Sequence, residues 1–157
     1  MRITVVGSWR PEKEKDLQGT LEGFSAACQE IGRELARRNQ TVVVSSDRPH
    51  TSDFHVVRGM ADVIRAVPDS LARIEVIRAA HEAQSYMELA NTIPRHISFP
   101  PASYTSGVEL HLLQIKEADA VITIAGTSGT YQAGIKAGVS VAGESPDVRP
   151  PEAESDP

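Results

Sequence analysis

The chain has 157 residues, a formal net charge of −5 and one cysteine, Cys28. That length fits one domain with a core of its own, and a single thiol excludes an internal disulfide framework. No apolar run approaches the length of a bilayer span, so no membrane partner is expected. The start, MRITVVGSWR, lacks the charged head, long apolar middle and small-residue cleavage site of a signal peptide, which points to a cytoplasmic location.

Arg2 to Val6 reads as a buried strand ending at Gly7-Ser8-Trp9, with a charged loop from Arg10 to about Gln18. Leu21, Phe24, Cys28, Ile31 and Leu35 then recur at three- and four-residue steps, which predicts a helix. Thr20 suits its cap, and Arg37 and Arg38 suit its end through the helix dipole. Thr41 to Val44 is a β-branched run and reads as a second strand. It empties into Ser45-Ser46-Asp47-Arg48-Pro49. Phe54, Val57, Ala61 and Ile64 predict a second helix, with Ser52 or Asp53 as cap.

Ala72 to Ile77 reads as a third strand, His81 to about Asn91 as a weaker helix, and Ile97 with Phe99 as a fourth strand. Val108, Leu112 and Ile115 mark a further helix. Asp119 to Ala125 is a strand that runs straight into Gly126-Thr127-Ser128-Gly129-Thr130. A short helix of small residues (Ala133, Ile135, Ala137) and a last strand, Val139 to Ala142, close the folded part.

The acidity is concentrated at the end. From Glu144 to Pro157 five acids face Arg149 alone, a net of −4, which leaves about −1 for the rest. This proline-rich tail has little to bury, so the expected organisation is a domain over 1–142 and a disordered tail over 143–157. No face clusters Lys and Arg as a nucleic-acid surface would. The five histidines, at 50, 55, 81, 96 and 111, make no metal spacing with the single cysteine. No metal and no cofactor are called for.

Alternating strands and helices imply an α/β fold: a Rossmann-like three-layer sandwich with a mostly parallel sheet. Runs such as VVG, VVVSS and AVITIAG are apolar on both sides of the pleat, as covered strands should be. Ligands of such sheets bind outside the carboxyl ends of the strands, so the loops beginning at Gly7, Ser45 and Gly126 carry the interest.

In AVITIAGTSGTYQAG, Gly126 and Gly129 allow close backbone approach, Thr127, Ser128 and Thr130 offer hydroxyls, and the next helix points free amides at the same place. That makes a phosphate-binding loop, or else a tight turn with a hydroxyl cap. At the first exit Ser8 can donate, Arg10 can reach a phosphate, and Trp9 either stacks on a base or packs as a surface anchor in an ordinary turn. At the second, Asp47 either accepts from ribose hydroxyls or makes a turn with Pro49. Neither GxGxxG nor GxxxxGK[ST] nor GxSxG is present, which argues against a dehydrogenase, a P-loop NTPase and an α/β-hydrolase.

VVGSWR, ACQEIGRELARRNQTVVVSS and ADAVITIAGTSGTYQAGIKAGVSV together resemble the SLOG superfamily over Ile3 to about Val141. That superfamily contains the LOG, or lysine-decarboxylase-like, phosphoribohydrolases and related nucleotide-sensing domains. The resemblance implies that Gly126, Gly129 and Thr130 hold phosphate-loop positions. It also places the catalytic glutamate of the active enzymes at Gln132, and replaces a glycine-rich second exit by Ser45-Ser46-Asp47. Glutamine cannot ionise, so it neither stabilises an oxocarbenium-like centre as a carboxylate does nor serves as nucleophile.

The implied function is therefore binding of a phosphorylated nucleotide or NAD-derived ligand without turnover, beside a separate effector protein and in a homodimer. Its contact helix would be Ser106 to Ala118 or Thr130 to Ala137. The ligand set would be Gly7, Ser8, Trp9, Arg10, Ser45, Ser46, Asp47, Gly126, Thr127, Ser128, Gly129, Thr130 and Gln132. The chain also resembles nucleoside 2-deoxyribosyltransferases, which share the ADAVI strand, the Ser-Gly-Thr turn and the need for a glutamate. The alternative is thus an N-glycosidase acting on nucleoside monophosphates, with Glu109 as the nearby carboxylate.

Overall fold

The computed structural model describes residues 1–9, 20–78, 80–101 and 106–125. Strands β1 (Arg2–Val6), β2 (Thr41–Val44), β3 (Arg73–Val76), β4 (Ile97–Ser98) and β5 (Ala120–Thr123) alternate with helices. The helices are α1 (Leu21–Arg37), α2 (Ser52–Ala66), α3 (Gln84–Ala90) and α4 (Gly107–Lys116). The strands form one sheet in the order β4-β3-β2-β1-β5, and every neighbouring pair is parallel. The expected α/β, Rossmann-like architecture is the one the chain adopts. The calls on 126–142 and on the tail lie outside the described residues.

The period-two alternation of the strands sorts the core into two halves. Ile3, Val5, Val42, Val44, Ile74 and Val76 meet Phe24, Val56, Met60, Ile64 and Tyr86, so α1, α2 and α3 cover one face. Val6, Val43 and Ile77 meet Leu110 and Ile115 of α4 on the other. Both faces are apolar because both are covered.

Thr20 caps α1 as expected, accepting from the Gly23 amide at 3.0 Å, a contact of a kind worth about 1 kcal/mol. Leu21, read as part of the apolar stripe, is 45% exposed, and the buried face begins at Phe24. The α1–α2 crossing is set by two glycines. A Cβ on Gly32 would sit 2.0 Å from the Val56 carbonyl oxygen, and one on Gly59 would sit 1.9 Å from that of Gln29. The two backbones are thus in contact, with no room for a side chain between them.

α2 corrects one expectation. Its cap position is Thr51, which makes no side-chain cap bond, and Ser52 and Asp53 lie buried inside the first turn. The helix expected from His81 is interrupted, with a 3-10 turn over Ala80–Glu82 preceding α3. At the amino edge of the sheet the Arg2 guanidinium binds Glu75 at 2.6 Å and Glu117 at 2.9 Å, and its amide donates to Asp119 at 2.7 Å. These bonds pin β1 to β3 and to the entry of β5, opposite the carboxyl edge of the sheet.

Candidate functional site

From β1 to β4 the chain steps steadily to one side; β5 then joins on the other side of β1. The β1–β5 boundary is the topological switch point, where the loops leaving the two strands diverge and open a crevice. Gly7 stands at its floor. The Ile124 amide donates to the Val6 carbonyl at 3.0 Å. A Cβ on Gly7 would meet the Ile124 carbonyl oxygen at 1.9 Å, so only glycine fits there. Ala125 takes φ 48°, a left-handed turn immediately before Gly126. Arg10, Gly126, Thr127, Ser128, Gly129, Thr130 and Gln132, all named from the sequence, lie outside the described residues.

After Gly7 the β1 exit is drawn toward the start of α2. The Ser52 amide donates to the Gly7 carbonyl at 3.0 Å, and the Ser52 hydroxyl donates to the Val5 carbonyl at 2.8 Å. Ser8 bridges to Thr51, and the Trp9 amide donates to the His50 carbonyl at 2.8 Å. Trp9 is only 4% exposed, with its ring centroid 6.0 Å from that of Phe24. In this arrangement the indole is buried in the core, so it is neither a platform open to a base nor an anchor at the surface, the two roles considered for it.

The β2 exit is held by a buried polar network. Asp53 Oδ2 accepts the Ser45 amide at 2.8 Å and the Ser46 amide at 2.9 Å. The Ser45 hydroxyl donates to Gln114 Oε1 at 2.7 Å. Gln114 Nε2 donates to Thr4 Oγ1 at 2.6 Å and, less closely, to Asp53 at 3.3 Å. Tyr86 donates its hydroxyl to the Ser46 carbonyl at 2.5 Å. Three helices thus fix one turn: α2 through Asp53, α3 through Tyr86 and α4 through Gln114.

This network changes what the exit can do. The Ser45 and Ser46 amides already serve a carboxylate, so they are not free for a phosphate, and Ser45 is enclosed. The Ser46 hydroxyl and Asp47 remain only partly covered; the Asp47 carboxylate accepts the Ser85 amide at 3.4 Å. Burial pushes the Asp53 carboxyl up, against the pull of the two amides and Gln114. Burial also lifts the Tyr86 phenol well above its ordinary value, with Asp53 and Asp47 adding to it. It pushes the Cys28 thiol up to about 12, so Cys28 is no nucleophile at neutral pH.

His55, on α2, packs edge-on to Phe24 and Phe54. Its Nε2 lies 2.7 Å from the Pro49 carbonyl, which assigns the proton to Nε2, and its buried Nδ1 has no partner. Burial lowers its pKa from 6.5. A histidine held neutral in the fold is protonated first in the unfolded chain, so its contribution is complete above 6.5 and is lost as pH falls through that value. We expect the melting temperature to fall between about pH 7 and pH 5, and His55→Phe to flatten that part of the profile. An unchanged slope in the variant would place the acid sensitivity elsewhere.

Glu109 is exposed in the first turn of α4, whose cap Ser106 accepts the Glu109 amide at 3.2 Å. Asp53, Gln114, Tyr86 and His55 were not singled out from the sequence as site groups. A glutamine between Leu113 and Ile115, four residues after Leu110, was the available signal, because a polar group on an apolar helix face needs a buried partner. A cavity of about 610 Å³, lined by Phe54, Arg58, Arg65, Tyr86 and Leu89 among others, runs between α2 and α3. It follows the helices rather than the strand ends, so the switch point remains the candidate site. Among the described residues no three His, Cys, Asp or Glu side chains converge as metal ligands would. No helix among them is long and apolar enough to cross a membrane.

Among solved structures, the X-ray structure of TM1055, a structural genomics target, is similar to this chain with a TM-score of 0.54 and 20% identity. The match covers 87% of this chain and 67% of that one. At that identity the likeness shows the fold alone. No protein-family model matches the chain, and no curated protein matches it significantly.

Proposed function

We propose that the chain binds a phosphorylated nucleotide or NAD-derived ligand at the β1–β5 switch point and does not cleave its N-glycosidic bond. The observation that carries this reading is the meeting of Gly7 with the Ile124 carbonyl. It puts Ile124, two residues before Gly126, beside the β1 exit, where doubly wound sheets take their ligands. The loop's glycines and hydroxyls, ahead of a helix expected from the sequence, suit a phosphate. Ser8, the Ser46 hydroxyl and Asp47 are the partly covered polar groups at the neighbouring exits. The resemblance to SLOG nucleotide-sensing domains favours the same ligand class and a cytoplasmic, homodimeric protein working beside an effector.

Absence of turnover rests on Gln132 and on the carboxylates near the strand ends. Asp53 is enclosed and committed to two amides. Glu109 is exposed on α4. A ribosyl transition state needs an ionised carboxylate held at its side away from water; Asp53 is enclosed but already committed, and Glu109 is open to solvent, a deficit of several kcal/mol.

Calorimetric titration with AMP, NAD and ADP-ribose should give saturable binding to at least one of them. Gly129→Val should abolish it while circular dichroism stays unchanged. Chromatography of overnight reactions should show no free adenine or nicotinamide. Release of base by the wild-type chain, lost on Glu109→Gln, would replace this reading by the N-glycosidase one. Absence of binding to all three ligands would remove the nucleotide class.

A further inference from the structure

We propose that the cavity between α2 and α3 is a second binding site, separate from the switch point, and that it takes a small aromatic carboxylate. Its volume of about 610 Å³ falls within the ordinary range of small-molecule pockets. α2 lies hard against α1, backbone to backbone at Gly32 and Gly59. Toward α3 it stands off, and the cavity lies between the two helices.

The charges along the cavity fix the sign of the ligand. Arg58, Asp62 and Arg65 line it from α2, and Glu88 lines it from α3. Asp62 is met by Arg33 at 3.5 Å. Among the described residues neither cavity arginine meets a carboxylate. The Arg58 guanidinium lies over the Phe54 ring, 4.8 Å from its centroid, and Arg65 donates to the Thr92 hydroxyl at 3.2 Å. Two cations against Glu88 leave one positive charge over, which a single carboxylate balances. A phosphate, at close to two negative charges, would overshoot. Stacking on Phe54 also holds the Arg58 fork in place, ready for a bidentate pair with two carboxylate oxygens.

The body of the ligand follows from the walls. Ala61 on α2 and Leu89 on α3 are apolar, and Phe54 and Tyr86 bring aromatic rings. Such rings favour an aromatic body, which adds ring-to-ring contact to plain burial. Tyr86 also ties the cavity to the β2 exit, since its hydroxyl donates to the Ser46 carbonyl. The amide of Ser85, another wall residue, donates to the Asp47 carboxylate at 3.4 Å. A ligand that steadies α3 therefore steadies that exit as well.

This site is independent of the nucleotide reading, and its test uses the full chain without a nucleotide. Calorimetric titration with naphthoate should saturate at one molecule per chain. The neutral analogue naphthalenemethanol should bind more weakly by about tenfold or more, the loss expected with a charged hydrogen-bonding partner. Arg58→Gln, at an exposed position, should weaken naphthoate by a similar factor. Glu88→Gln, also exposed, removes the opposing acid and should tighten it. Hydrogen exchange of the wild-type chain should slow over α3 and over Ser45 to Asp47 when naphthoate is added, a measurement that stands even if a variant misfolds. Failure to saturate, equal affinity for the neutral analogue, affinity indifferent to both charge changes, or protection confined to other elements would each overturn the proposal.

Discussion

Replacing Gly32 with valine should destabilise the protein by about 3 kcal/mol or more, the upper end of what overpacking a tight contact costs. The first atom of any side chain there would lie 2.0 Å from the Val56 carbonyl oxygen, with the Met60 amide nitrogen 3.1 Å away. Both obstacles are backbone, so neither can rotate aside. The helices would have to separate, and Val56, Val57 and Met60, all fully buried, would lose partners. Gly59, against the Gln29 carbonyl at 1.9 Å, should behave in the same way. Gly23 supplies the contrast: its nearest atom is the Thr20 hydroxyl oxygen at 3.5 Å, so Gly23→Ala should be neutral or stabilising by up to about 1 kcal/mol. Thermal melts of the three variants would check this, with a fall of about 10 °C expected for Gly32→Val. A Gly32→Val melt within a degree or two of wild type would mean that the helices do not cross this closely.

Asp53→Ala should cost about 3–5 kcal/mol, because it strips a buried turn of its acceptor. The Ser45 and Ser46 amides would lose their carboxylate, and Gln114 would keep Thr4, Ser45 and the Val43 carbonyl but lose Asp53. Asp53→Asn keeps the shape and one acceptor oxygen, so it should cost distinctly less. Urea denaturation of both variants at neutral pH would measure the difference. Equal losses would show that shape rather than acceptor capacity holds the turn; no loss in either would show that water satisfies the two amides. Because the turn includes Ser46 and Asp47, nucleotide affinity should fall along with stability in Asp53→Ala.

The layout of elements was legible because it rests on local pattern. Phe24, Cys28 and Leu35 advertise one face of α1, and the β-branched runs at Thr41 to Val44 and Ala120 to Thr123 read as covered strands. Thr20 announced its own cap. Strand order was not legible, since nothing local in the sequence says whether β5 joins β4 or β1. That choice depends on where α4 buries Leu110 and Ile115. The site suffered from the same limit. Asp53 reads as a helix cap because capping residues occupy that kind of position, and only the fold brings Gln114 to it from sixty-one residues away. Trp9 follows a strand exit, where a ligand platform and a core anchor look alike in one dimension. The burial of Phe24 beside it separates the two.

β1 pairs with β5 as its neighbour on one side, and the bond between the Arg2 amide and Asp119 joins residues 117 positions apart. Closing so long a loop is entropically unfavourable before any contact rewards it, and chains dominated by such distant pairings fold slowly. On a ribosome, β1 to β4 would all have emerged before the strand that completes the crevice. Among the described strands the switch point would therefore be the last part of the sheet to exist, and the first to open when β5 lets go. A ligand seated there binds the closed sheet and not the open one, so its occupancy would slow the release of β5. Amide exchange at Val121 and Ile122 would then report occupancy of a pocket whose walls they do not form.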